Sequence, residues 1–429
     1  MNVFLTSSEW WTLATACMCG LLCGVAGCYL VLRRMSLLGD AITHAILPGL
    51  AGAFLLSGTR DTWAMLLGAL VVGLLTAAGT SWLSRVGRVP SDAAMGVVFT
   101  SLFAAGVLLI SRAADKVDLD PGCVLYGLLE FVDTDRVRLL GIEMPRAFAT
   151  LAGASAIMFT LLTLFWKELK LVSFDAALAT SMGFSAGLIH YGAIAMIAGA
   201  AVASFEAVGS ILVVSMLIGP PATASLLTQR LGRMVFLAGI IGIVSGAVGT
   251  IAAVKLSTSI AGTVSVAVGA IFVVALVCSP SQGLLASWLR RSALTLRVRR
   301  EDIMGSLYRL QQEPNTRVTR DDISALLRGP WGILAQQQLL SRKHLQRANG
   351  GPVLTQTGLI EAERILRAHR LWESYLWRDL ALPVSHVHDP SERMEHFITD
   401  EMARDLAAHV SDTHDPQGRP IPRRNSGAE

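Results

Sequence analysis

The sequence predicts an all-α polytopic membrane domain of about nine transmembrane helices, followed by a soluble winged helix-turn-helix with further helices behind it. Three observations carry this. The 429-residue chain is 52% hydrophobic and 16% charged, with a mean hydropathy of +0.53, more apolar than a single soluble core requires. Charge is unevenly spread: residues 1–289 hold 15 Lys+Arg and 14 Asp+Glu, which leaves 21 and 18 of the totals of 36 and 32 for residues 290–429. Fewer than a third of the residues therefore hold more than half of the charge. Finally, apolar runs of bilayer length, about 20 residues, recur through the first part and stop where the charge begins.

Those runs fall near 11–32, 36–57, 63–84, 92–112, 147–166, 188–209, 211–228, 233–254 and 262–287, and the two flanking Gly209 are also readable as one broken element. Nothing basic precedes the first run and no A-x-A site follows it, so it reads as a spanning helix and not a cleavable signal. Basic pairs at alternate ends (Arg33/Arg34, Arg85/Arg88, Lys167/Lys170, Arg230/Arg233, Arg290/Arg291) set the N-terminus outside and the C-terminal domain in the cytoplasm of a plasma (inner) membrane protein. The basic residues Lys116, Arg136, Arg138 and Arg146 of the 113–146 loop would lie on the outer side and run against that trend. Gly68, Gly73 and Gly79, and Gly239, Gly242, Gly246 and Gly249, permit close helix packing. The six cysteines (17, 19, 23, 28, 123 and 278) form no C-x-x-C pair, and five lie in apolar segments, so neither a disulfide framework nor a thiolate metal site is indicated.

Asp40 and His44 stand one turn apart inside the apolar second run. A carboxylate within a span costs about 2.5–3.5 kcal/mol on insertion scales, and such residues usually face a polar pathway and have a partner. At i and i+4 the two side chains share a helix face, which suits a shared cation. The plain alternative is an Asp40 that offsets the positive helix N-terminus beside a packed His44. Glu206 is the other acid clearly inside a late span, a weaker pathway candidate or a helix-packing acid.

The order of segments resembles the ABC-type permease family that imports zinc, manganese or iron with an external metal-binding protein and a cytoplasmic ATPase. The resemblance covers roughly residues 10–290. Its carriers are Arg33-Arg-Met-Ser-Leu-Leu-Gly-Asp-Ala-Ile-Thr-His-Ala-Ile-Leu-Pro-Gly49, Phe174-Asp-Ala-Ala-Leu-Ala-Thr-Ser-Met-Gly183 and Val208-Gly-Ser-Ile-Leu-Val-Val-Ser-Met-Leu-Ile-Gly-Pro-Pro-Ala-Thr-Ala224. It implies that Asp40 and His44 lie on the ion path, with a second permease subunit, identical or related, supplying two more ligands. It also implies that the segment with Phe174, Asp175, Ala179 and Gly183 is the helix that couples to the ATPase; by itself that stretch is an amphipathic connector. No G-x-x-x-x-G-K-[ST] signature occurs, so the chain binds no nucleotide by the usual route and is a transporter subunit, not an enzyme.

Residues 290–300 form a basic linker suited to anionic lipid. Short amphipathic helices follow at 301–312, 320–327 and 331–340, then a strand, an Asn-Gly turn and a strand over 345–355: three helices and a wing, occupying 301–357. Helices at 358–380 and 390–409 build a second part over 358–422, and 423–429 is a disordered tail.

This tail resembles the diphtheria-toxin-repressor and manganese-regulator family. The carriers are Glu301-Asp-Ile-Met-Gly-Ser-Leu-Tyr308, Leu354-Thr-Gln-Thr-Gly358, Arg367-Ala-His-Arg-Leu-Trp-Glu373, Val387-His-Asp-Pro-Ser-Glu-Arg-Met-Glu-His396 and Gly418-Arg-Pro-Ile-Pro422. The resemblance implies a metal-binding and dimerisation domain, with a principal site on Asp302, Glu392, Glu395 and His396, His369 shared with or beside a second ion, and Glu373 and His388 at an ancillary site. Spacing agrees, with Glu392, Glu395 and His396 at i, i+3, i+4 on one helix and His369 and Glu373 at i, i+4 on another. The oxygen-rich set favours Mn2+ or Fe2+ over Zn2+. Gly305 stands where the manganese type carries an acid. Without the resemblance these residues read as a charged helix surface. Gln336, Gln337, Gln338, Arg342 and Lys343 are the candidate DNA contacts, although Gly329-Pro-Trp-Gly-Ile-Leu-Ala335 is apolar and the net charge of +3 (21 minus 18) is modest for a nucleic-acid footprint. Two readings of the tail stand open: a sensor through which imported metal regulates transport, or a membrane-tethered or proteolytically released metal-dependent repressor of uptake genes. A membrane receptor that senses metal without carrying it is a third reading of the whole chain.

Overall fold

Helices dominate because the apolar runs leave their backbone groups no partner but themselves in lipid. The computed structural model describes residues 6–57, 62–113, 129–139, 141–312, 319–348, 351–410 and 413–422. The chain divides into two units, Met1–Ala286 and Ser287–Glu429.

In the first unit, α1 (Ser7–Leu32) starts at a reciprocal capping box between Thr6 and Glu9. It is followed by α2 (Ser36–Ser57), α3 (Thr62–Val86) and α4 (Ser91–Ala113). A 3-10 turn (Leu129–Thr134) and a hairpin, β1 (Arg136–Leu139) antiparallel to β2 (Ile142–Pro145), lead into α5 (Arg146–Leu164). Two short helices, α6 (Trp166–Phe174) and α7 (Ala176–Ser181), precede α8 (Ala186–Leu227), α9 (Leu231–Leu256) and α10 (Ile260–Cys278).

Seven of these helices are long and apolar enough to cross a membrane among the described residues. The 22-residue α2 is a further apolar helix, carrying Pro48 inside it. α8 has 42 residues, about 63 Å at 1.5 Å per residue, and breaks at Gly209, whose φ of 77° and ψ of 170° leave the helical region. The expected pair flanking Gly209 is thus two helical arms of α8 that meet at the residue tolerating such backbone, and nine apolar helical segments result among the described residues.

α1 and α8 are mostly buried, whereas α4, α5 and α10 keep most of their apolar surface outward, as helices facing lipid do. Glycine allows the closest approach: a Cβ on Gly20 would stand 2.3 Å from the Gly242 carbonyl oxygen, and one on Gly68 2.5 Å from that of Gly49. Gly73 and Gly79 have only ordinary side-chain neighbours at 3.4 Å, so the packing role expected for all seven glycines is not equally pressing.

The last span ends earlier than expected. Ser279 precedes Pro280, which disfavours helical backbone, and Ser279 Oγ donates to the Leu226 carbonyl at 2.6 Å. The apolar signal to 287 comes instead from exposed Leu284 and Leu285 on the next helix, α11 (Leu284–Gln312). Residues 290–300 are therefore helical.

In the second unit, α11, α12 (Arg320–Leu327), α13 (Gly329–Ser341) and the hairpin β3 (Leu345–Ala348) with β4 (Gly351–Leu354) form the winged helix-turn-helix. Ile303, Met304, Leu307, Ile323, Ala335, Leu339, Leu345 and Leu354 share its core. Thr319 and Asp322 cap α12 reciprocally, and Gly332 lets α13 approach Leu326, whose carbonyl oxygen is 2.5 Å from where a Cβ would sit. The Asn349-Gly350 turn lies outside the described residues, as do Cys123 and the 423–429 tail. α14 (Gln356–Arg378) follows its Thr355 cap. The expected helix over 390–409 is two: α15 (His388–Met394) stops, and α16 (Asp400–His409) restarts where Thr399 Oγ accepts the Met402 N–H at 3.2 Å.

Candidate metal sites

Asp40 and His44 face each other on α2, His44 Nε2 3.4 Å from Asp40 Oδ1, each about a third exposed. The imidazole lies beside Phe99 and Phe103 of α4, both ring centroids 6.2 Å away. Two ligands open on one side form half of a coordination shell. Among the described residues, no cluster of three ligand groups includes either residue or Glu206, which is exposed on α8 three residues before the Gly209 break.

The connector between α5 and α8 is two-faced. Leu169, Val172 and Ala179 are buried, while Phe174 (61%), Leu178 (47%) and Met182 (61%) are exposed. Asp175 caps α7 by accepting the Leu178 N–H at 2.9 Å, and Gly183 ends the segment with a φ of 90°. Of the four candidate coupling residues, Phe174 alone presents a large apolar side chain outward; Asp175 and Gly183 shape the turn and Ala179 packs beneath it.

Two ligand clusters occupy the second unit. One joins His369, Glu373 and His388; the other joins Asp302, Glu395 and His396. In the first, Glu373 Oε1 lies 3.0 Å from His369 Nε2 and 2.8 Å from His388 Nδ1. In the second, His396 Nε2 is 3.2 Å from Asp302 Oδ1 and 3.9 Å from Glu395 Oε1. Glu395 links them, since its Oε2 approaches His369 Nδ1 at 2.5 Å. That contact lacks hydrogen-bonding geometry, and both atoms are buried without a hydrogen-bond partner. Buried polar atoms are rarely left so, and a divalent ion drawing on both groups would satisfy them. The residues therefore fit a resident metal.

Glu392 is exposed and stands outside both clusters. Glu395 keeps helical backbone, its N–H donating to the Ser391 carbonyl at 2.9 Å, so Glu392 and Glu395 retain helical spacing, but only Glu395 and His396 join a cluster.

Four participants are given no role by sequence reasoning. Glu301 is buried and holds His396 Nδ1 at 2.8 Å while accepting from Arg297 Nε at 3.0 Å, which orients the opposite ring nitrogen toward Asp302. Its place four residues after Arg297 is the signal that was available. Arg419 donates to Glu373 Oε2 at 2.9 Å and to Asp415 Oδ2 at 2.6 Å. Arg370 donates to the Pro420 carbonyl at 2.5 Å and Arg367 to that of Pro422 at 2.6 Å, so the 413–422 strap is fastened to α14 beside the ligands.

Charge follows this geometry. Burial pushes His396 down, but hydrogen bonds to Asp302 and Glu301 and the Glu395 charge outweigh it, and its pKa is raised to about 10. Burial pushes His369 down, but its hydrogen bond with Glu373 and the nearby Glu395 charge raise it. Burial favours the neutral form of Glu373, yet hydrogen bonds from His369 and His388, with Arg419, hold it well below the usual carboxylate range.

On α13, Ile333 (52%) and Leu334 (44%) are exposed, Gln337 is exposed, and Gln336 and Gln338 are half-buried. Arg342 and Lys343 are exposed just beyond its end.

Residues 9–279 match the model of the ABC 3 transport family. The chain belongs to that family. As a member it is a transporter permease subunit and not an enzyme, with ATP hydrolysis in a separate subunit. Residues 355–423 match the iron dependent repressor metal binding and dimerisation domain. Over 285 residues the chain is 43% identical to the manganese transport system membrane protein MntD of Bacillus subtilis (strain 168), covering 66% of this chain and 96% of that one. Over 274 residues it is 37% identical to the zinc transport system membrane protein TroD of Treponema pallidum (strain Nichols), covering 64% and 75%. Among solved structures, PsaBC from Streptococcus pneumoniae in complex with Fab is similar, with 30% identity, a TM-score of 0.56, and coverage of 65% and 94%.

Proposed function

We propose that this ABC 3 permease subunit imports a divalent metal ion, manganese before ferrous iron or zinc, and that its C-terminal domain senses the same metal in the cytoplasm. The observation that carries the transport reading is the Asp40–His44 pair, a carboxylate and an imidazole 3.4 Å apart in an apolar helix. A carboxylate oxygen and a neutral imidazole both bind first-row divalent ions. Two ligands from one chain hold an ion loosely enough for release, and a second permease subunit would complete the shell.

Driving force comes from a cytoplasmic ATPase docked on the exposed Phe174–Leu178–Met182 side of the connector, and cargo from an extracytoplasmic metal-binding protein. The N-terminus is outside and the tail inside, following the basic pairs.

The tail supports the choice of ion. Asp302, Glu395 and His396 offer two carboxylates and one imidazole, a set suited to Mn2+ or Fe2+, while His369, Glu373 and His388 offer two imidazoles and one carboxylate. A bound ion there would supply positive charge that gathers carboxylates from α11 and the α15 end with the imidazole of α14. DNA reading has less support, since α13 turns Ile333 and Leu334 outward where base-edge donors and acceptors are required.

The deciding experiment is metal uptake by cells carrying the full transporter, with Mn2+, Fe2+ and Zn2+ in competition. Manganese uptake that Asp40→Asn removes is expected; uptake unchanged in that variant at equal membrane abundance would leave a receptor and not a permease path.

A further inference from the structure

We propose that Arg33 is a positioning residue that links movement of the ATPase-docking segment to the ion-path helix. The inference rests on the docking role proposed above for residues 174–183. Arg33 occupies the junction of α1 and α2, where three residues separate the helices. Its backbone is fixed: the Arg33 N–H donates to the Tyr29 carbonyl at 3.2 Å, Met35 N–H to that of Leu30 at 2.9 Å, and Arg34 between them takes a φ of 56°.

The half-buried guanidinium spans two other elements. Nη2 donates to the Val172 carbonyl at 3.0 Å. Val172 lies in the last turn of α6, where carbonyls lack helical partners, so Arg33 serves as a cap for the docking segment from inside. Nη1 is 2.6 Å from His190 Nδ1 on α8. Arginine only donates, so Nδ1 accepts and the ring carries its proton on Nε2.

One rigid fork therefore joins the entry to α2, the inner side of the docking segment and the start of the helix that breaks at Gly209. The outward side of that segment carries Phe174, Leu178 and Met182, and the inward Val172 carbonyl meets Arg33. A displacement imposed from outside passes through the guanidinium to α2, seven residues ahead of Asp40. Lysine, a single point donor on a flexible stem, cannot hold both acceptors in that geometry.

The test uses the full chain with its ATPase and extracytoplasmic metal-binding protein in proteoliposomes, reading Mn2+ taken up per ATP hydrolysed. Arg33→Gln is expected to lower that ratio by about tenfold, within the usual range of coupling between sites, while the assembled complex still hydrolyses ATP. His190→Ala, which removes one acceptor, is expected to lower it less, and Arg33→Lys to fall between wild type and Arg33→Gln. A ratio unchanged in both Arg33→Gln and His190→Ala, whether uptake and hydrolysis hold or fall together, overturns the proposal. Where Arg33→Gln does not assemble, His190→Ala alone decides by the same ratio. The docking role is checked separately: failure of Phe174→Cys to cross-link to the ATPase overturns that role, whatever Arg33 does.

Discussion

The two sets of candidate metal-binding side chains in this chain are built oppositely. On α2, Asp40 and His44 are two candidate ligands, each about a third exposed, with two phenylalanines beside the ring. In the tail, six ligand side chains fall into two clusters around Glu395, and His369 and Glu373 are almost wholly buried. Further groups hold the ligands themselves: Glu301 behind His396 and Arg419 behind Glu373. A pathway must let its ion go, so few and open ligands serve it. A sensor must hold its ion long enough to change state, so buried ligands with fixed orientations serve it.

Breaking the open pair has the largest expected effect. His44→Ala is expected to reduce manganese uptake to background at unchanged membrane abundance while leaving metal binding by the tail intact, as checked by calorimetry on the purified full chain. Next comes Glu395→Gln, which removes the link between clusters. Because a ligand itself is lost, tail affinity for Mn2+ is expected to fall more than about a hundredfold, beyond outer-shell effects, with the initial rate of uptake retained and its inhibition by accumulated metal lost. Equal inhibition in variant and wild type would remove the regulatory half of the proposed function.

Arg419→Gln and Glu301→Gln sharpen the comparison at about tenfold weaker binding each, because each leaves every ligand present but one of them less firmly oriented. The smallest effect concerns protons. With its pKa raised to about 10 by Asp302, Glu301 and Glu395 against its burial, ion-free His396 is protonated at neutral pH. Metal binding must displace that proton. Tail affinity is then expected to rise with pH between 6 and 8 by at most about tenfold per unit for one proton. Calorimetry in buffers of different ionisation enthalpy checks the proton release. The same raised pKa stabilises the ion-free fold below the unfolded value near 6.5, and that contribution is lost as pH rises through about 10.

Legibility differs between the two regions for physical reasons. Asp40 and His44 were readable because a charged group in an apolar run is costly and therefore conspicuous. In the tail the same residue types sit in ordinary polar surroundings, and only the family pattern picks them out. The pattern also named Glu392, which the structure leaves exposed and outside both clusters. It included Arg419 without giving it a role, since that residue meets Glu373 across 46 residues of chain, a separation no local period encodes.

By itself the sequence determined the division into an apolar and a charged part, the helical segments of the membrane unit, the winged helix-turn-helix and the placing of Asp40 beside His44 on α2. Each follows from local periodicity, cap residues or the cost of burying charge. Only the tertiary structure decided that the two arms of α8 meet at a non-helical Gly209, that residues 290–300 are helical, that Glu395 bridges two clusters, and that Arg33 joins three elements. Those outcomes depend on which side chains from distant segments compete for the same buried acceptors, and that competition exists only once the chain has packed.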